Sequence, residues 1–142
     1  VRFVQDDGGR ADAGYVGSAG DCVTRSIAIA TEIDYEDVYD ALALGMQRSR
    51  GRHRTRGRRS ARNGVFRNVY EPFLFEHGWL WTPTMQIGQG CTVHLTEDEL
   101  PGGRLVVAVS KHVTAVIDGV IHDTHDPSRG GTRCVYGYYQ KG

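Results

Sequence analysis

The segment from His112 to His125 constrains this chain more than any other. Asp118-Gly119 stands between two β-type runs, His112-Val113-Thr114-Ala115-Val116-Ile117 and Val120-Ile121-His122-Asp123. An Asp-Gly pair suits a two-residue type I′ turn, whose twist matches the strands it joins. Counting outward from the turn sets Ile117 opposite Val120, Val116 opposite Ile121, Ala115 opposite His122, Thr114 opposite Asp123 and His112 opposite His125. Opposed residues share a face, and successive side chains alternate. His112, Thr114 and Val116 therefore share a face with Ile121, Asp123 and His125. Asp123 lies diagonal to His112, within carboxylate–imidazole reach. His122 and Thr124 point the other way.

The other strands follow from similar signals. Trp79-Leu80-Trp81, Cys91-Thr92-Val93-His94, Arg104–Ser110 and Arg133–Gln140 read as strands, and Thr96 with Glu99 reads as a capped helical turn. Helices come earlier. Val23, Ile27 and Ala30 fall on one face after Asp21, which is placed to cap the first turn. A second helix starts at Asp34, carries Tyr35, Val38, Tyr39 and Leu42 on one face, and is expected to stop at Gly45. A third runs from about Val65 to Glu76, with Val69 and Phe73 inward. Residues 1–20 read as an irregular, glycine-rich lead-in. The expectation is an α+β chain of one domain over 1–142, its N-terminal helices packed on a C-terminal antiparallel β-sheet.

Composition excludes several classes. The chain has 142 residues, 39% hydrophobic and 24% charged, which is a globular composition large enough for a core of its own. No apolar run approaches the roughly 20 residues that span a bilayer, and Val1–Asp7 has no apolar signal core. Three widely spaced cysteines, Cys22, Cys91 and Cys134, do not form a disulfide framework. The simplest reading is a reducing, cytoplasmic setting with Cys91 and Cys134 packed in the core. The 17 basic and 17 acidic residues cancel, but not evenly along the chain. Eight arginines lie between Arg48 and Arg62 with no acid among them, so the rest carries nine basic residues against seventeen acids. That segment reads as a surface loop at about 47–63.

Cys22 opens the first helix, directly after Gly20-Asp21. A thiol there meets the positive end of the helix dipole and free N–H groups, which favour thiolate and are placed to hold an oxyanion. A thiolate nucleophile needs a proton carrier, and that carrier needs an orienting partner. His112 and Asp123 supply both roles. Cys22 as a small buried hydrophobe is the alternative.

At these residues the chain resembles the papain-like cysteine peptidase superfamily, in a compact form of bacterial or phage type. The likeness rests on a Cys opening a helix (Gly20-Asp21-Cys22-Val23-Thr24-Arg25), a His opening a late strand (His112-Val113-Thr114-Ala115-Val116) and an Asp on the next (Asp123-Thr124-His125-Asp126), in the family's order. It implies Cys22 as nucleophile, His112 as acid–base and Asp123 as orienter, acting through a thioester acyl-enzyme without a cofactor. Asp126 is a rival orienter, because some relatives use the Asp of an Asp-Pro pair. The family's oxyanion Gln, ahead of the Cys, has no counterpart at Val16, and the nearest upstream Gln is Gln5. The donors are then Gln5, or backbone N–H groups of Cys22 and Gly20-Asp21. The Asp21 carboxylate opposes a thiolate unless it turns away as a cap.

Rival functions remain at this stage. A transglutaminase-like acyl transferase would use the same residue order. A non-catalytic domain would bind nucleic acid or an acidic partner through Arg48–Arg62, where closely spaced guanidiniums neutralise phosphates. Zinc held by Cys91, His94, His122 and His125 is disfavoured, because His122 and His125 at i, i+3 of a strand face opposite ways. No metal is expected. The leading expectation is a cysteine hydrolase acting on a protein or peptide substrate.

Overall fold

The hairpin organises the molecule. In the computed structural model, which describes residues 2–15, 21–49, 65–86 and 88–142, strands β4 (His112–Ile117) and β5 (Val120–Asp123) pair as Ile117–Val120, Val116–Ile121 and Ala115–His122. Asp118 and Gly119 take φ of 49° and 80°, the left-handed values a type I′ turn demands.

Four more strands complete a six-stranded sheet: β1 (Phe3–Gln5), β2 (Trp79–Pro83), β3 (Arg104–Val109) and β6 (Val135–Lys141), in the order β1-β5-β4-β3-β6-β2. The α+β class holds, but two expectations about the sheet change. It is mixed, because β1 pairs parallel to β5, setting Gln5 beside Asp123. The lead-in therefore contributes an edge strand that its glycines and aspartates concealed. Cys91–His94 is not a strand; it adds a single bridge, His94 to Cys134.

Alternation divides the sheet's side chains between two apolar clusters. Val106, Val113, Ala115 and Tyr139 join the helices in one. Leu105, Val107, Val116, Ile121 and Val135 pack with Leu95 and Leu100 in the other. Gly137 of β6 is required by packing. A Cβ there would run into the Trp81 indole and lie 2.7 Å from the Thr82 carbonyl oxygen. Gly137→Ala is expected to destabilise the fold by about 3 kcal/mol in urea unfolding, the upper range of an overpacked site.

The helices are α1 (Cys22–Thr31), α2 (Tyr35–Ser49) and α3 (Arg67–Glu76). Every residue of α1 from Val23 to Ala30 is buried, not merely one stripe, because the helix lies between the sheet and α2. The Ser26 hydroxyl donates to the Val113 carbonyl at 2.9 Å and ties α1 to β4. Helix α2 continues through Gly45 to Ser49. Gly45 is a contact point and not a stop: a Cβ there would lie 2.6 Å from Val69 Cγ1 of α3. The inward residues of α3 are Tyr70 and Leu74, one position on from Val69 and Phe73, which are partly buried.

Cys91 and Cys134 form a disulfide, which corrects the reading of both as core thiols. The bridge between His94 and Cys134 draws the 88–94 loop against the start of β6, and only that pairing brings together cysteines 43 residues apart. Reduction is expected to lower stability by about 2–4 kcal/mol, the loop-closure entropy of such a crosslink. Urea unfolding with and without reductant measures it.

Candidate active site

Three elements converge on Cys22. It is the first residue of α1, half-buried, and its amide belongs to the helical turn that has no internal acceptors. His112 opens β4 and Asp123 ends β5. His112 Nε2 lies 2.8 Å from Asp123 Oδ2, and the same imidazole is the neighbour that most lowers the Cys22 thiol. With Nε2 on the carboxylate, Nδ1 is the ring atom left for sulfur. The rings of His112 and His125 lie 5.0 Å apart, as the hairpin count places them.

The electrostatics favour a thiolate–imidazolium pair. Burial pushes the Cys22 thiol up, but the His112 hydrogen bond and charge, the Val113 N–H and the Arg25 charge together bring it below its ordinary value. Burial pushes His112 down. Hydrogen bonds to Asp123 and Cys22, with the charges of both, outweigh that and raise the imidazole to about 9. Burial would raise Asp123, yet hydrogen bonds from His112 and Thr114 and the nearby cations hold it well below the usual carboxylate range.

Asp123 is fully buried, and its oxygens are fully engaged. Oδ2 accepts from His112 and, at 2.7 Å, from the Thr114 hydroxyl. Oδ1 accepts from the Thr124 N–H at 2.7 Å and from Arg25 Nη2 at 2.9 Å. Two donors per oxygen is the arrangement that keeps a buried carboxylate ionised. Asp126, the rival orienter, is exposed and accepts from the Ser128 N–H at 2.9 Å.

The residues expected to serve the oxyanion fare differently. Gln5 is exposed on β1, at the register position of Asp123. Gly20 lies outside the described residues. Asp21 holds the N-cap position of α1, as expected, but its side chain makes no capping hydrogen bond. It is 2% exposed, with Oδ1 2.5 Å from Arg25 Nη1 and Oδ2 accepting from the Tyr35 hydroxyl at 2.6 Å. Its carboxylate is neutralised from inside and not presented to a substrate. Two contacts to Asp123 went unread in the sequence, those of Arg25 and Thr114. The i, i+4 spacing of Asp21 and Arg25 was the available signal. Beyond Arg48 and the backbone of Ser49 in α2, the arginine-rich segment read as a surface for an acidic or nucleic-acid partner lies outside the described residues. Among the described residues no helix is long and apolar enough to cross a membrane, and no group of three or more His, Cys, Asp or Glu could hold a metal ion. No family model matches the chain, and no curated protein or solved structure matches it either.

Proposed function

We propose that this chain is a papain-like cysteine hydrolase whose triad is Cys22, His112 and Asp123, acting on an amide of a protein or peptide. The observation that carries this reading is the relay: a half-buried thiol at a helix N-terminus is held below its ordinary pKa by an imidazole that is itself bonded, at 2.8 Å, to a fully buried carboxylate. A packed cysteine that serves only the core requires no such chain of partners.

The chemistry follows from the geometry. The Cys22 thiolate attacks the carbonyl carbon, and the carbonyl electron pair moves to oxygen. The Cys22 N–H, in the first turn of α1, is the donor this reading assigns to that oxyanion. The His112 imidazolium gives its proton to the leaving nitrogen as the C–N bond breaks, leaving a thioester on Cys22. Neutral His112 then takes a proton from water, hydroxide adds to the thioester, and the proton returns to sulfur as the acid departs. Asp123 stays ionised throughout, holding Nε2–H and keeping Nδ1 toward sulfur.

Alkylation of the full chain by iodoacetamide at pH 6 tests the nucleophile, and hydrolysis of a panel of peptide and isopeptide amides tests the reaction. Cys22 is expected to react measurably faster than a free cysteine at that pH, because its lowered pKa leaves a larger fraction as thiolate. Products are expected to carry the oxygen of water. Acyl transfer to an added primary amine without any hydrolysis would replace the hydrolase with a transferase. A Cys22 that reacts no faster than a free cysteine would overturn the thiol-catalysis reading.

A further inference from the structure

Arg25 lies three residues after Cys22 in α1, and it is 4% exposed. Its two terminal nitrogens grip different carboxylates: Nη1 is 2.5 Å from Asp21 Oδ1, and Nη2 is 2.9 Å from Asp123 Oδ1. Asp21 precedes the nucleophile in the chain, and Asp123 holds the acid–base imidazole. We propose that Arg25 is a positioning residue, a buried fork that locks the nucleophile's helix to the acid–base hairpin and presents Asp123 Oδ2 to His112.

Three observations support this beyond simple stapling. First, the fork belongs to one continuous line of hydrogen bonds, buried from the Tyr35 hydroxyl through Asp21 and Arg25 to Asp123 and ending on the partly buried His112 beside Cys22. Second, the donors are divided so that Arg25 and the Thr124 N–H occupy Oδ1, which leaves Oδ2 to His112 and Thr114. A planar guanidinium can fix a carboxylate's rotation in this way, whereas an ammonium acts as a point charge. Third, the arrangement is costly as a mere staple. Among the described residues the buried Arg25 Nε has no hydrogen-bond partner, and apolar packing commonly replaces a buried ion network without loss of stability. The charged and titratable groups around the fork are Asp21 with Tyr35 and Arg10 on one side, and Asp123 with His112, His125 and Cys22 on the other.

The inference rests on the triad reading, and the experiment separates the two. The pH dependence of Cys22 alkylation by iodoacetamide is measured on the chain, its Arg25→Met variant and its Arg25→Lys variant. The low-field imidazole N–H resonance of His112 is followed in parallel by NMR. Arg25→Met is expected to move the acid limb up by about one pH unit, roughly a tenfold slower reaction on that limb. Arg25→Lys is expected to restore part of that shift through its charge, while the His112 N–H resonance still moves or broadens because the fork is gone. If Arg25→Met does not fold, the Lys variant decides: a wild-type acid limb with an unmoved resonance overturns the proposal. A lowered melting temperature with an unmoved limb in both variants likewise reduces Arg25 to a staple while leaving the triad reading intact. An unreactive wild-type Cys22 removes both.

Discussion

Asp123→Asn is expected to cost about 3–5 kcal/mol of stability and to move the alkaline limb of Cys22-dependent hydrolysis down from about pH 9. The stability cost arises because the substitution removes the anion from a buried charge network. Arg25 Nη2 and His112 Nε2 now donate to separate oxygens of Asp123. An Asn offers one carbonyl oxygen and one NH2 group, so one of the two donors must face another donor. The pH effect has a definite sign. In the proposed reaction the imidazolium is the acid that protonates the leaving amine, and it is lost as pH rises through the His112 value of about 9. Asp123 is one of the groups holding that value up. Without its charge, His112 falls back toward the ordinary imidazole value of about 6.5, and activity fails at lower pH. On the acid side, activity falls as the thiolate takes up a proton, and Asp123→Asn leaves that limb less changed. Stability curves in urea and pH–rate profiles of kcat/KM measure the two effects separately.

Cys22→Ala is expected to abolish iodoacetamide labelling of the unreduced protein and to reduce hydrolysis at least about a thousandfold, since no other group replaces a missing nucleophile. Cys91 and Cys134 are joined in a disulfide and offer no thiol. Stability changes far less than activity, because the side chain is small and half-buried. His112 also loses its thiolate partner, so its titration shifts down from about 9. Residual labelling at full rate in Cys22→Ala would place the reactive thiol elsewhere. Together the two substitutions separate a nucleophile, whose loss ends the chemistry, from an orienter, whose loss moves its pH range.

The turn and the inner pairs of the hairpin were legible in the sequence: of the five pairs counted outward from it, the three nearest the turn form as ladder pairs. Asp118-Gly119 sets the turn, the turn sets the register, and period-two alternation then puts His112 beside Asp123. Each step involves neighbours in sequence. The position of Cys22 at a helix N-terminus was legible for the same reason. Other local readings failed where packing overruled them. Gly45 looks like a helix stop, but α3 needs its missing side chain for Val69. Asp21 looks like a cap, but a buried Arg25 and Tyr35 claim its carboxylate. A cap contributes about 1 kcal/mol, whereas leaving the buried guanidinium unpaired costs several.

The chain's amino-acid order by itself determined the secondary elements of the hairpin, the shared face of His112 and Asp123, and the helix start that carries Cys22, because turn chemistry and side-chain periodicity act over a few residues. The tertiary structure alone decided the long-range unions: β1 beside β5, Cys91 with Cys134, and Arg25 with Asp123 across 98 residues. Such unions are chosen by the total free energy of closing the fold around two apolar clusters, and no short window of sequence contains that sum.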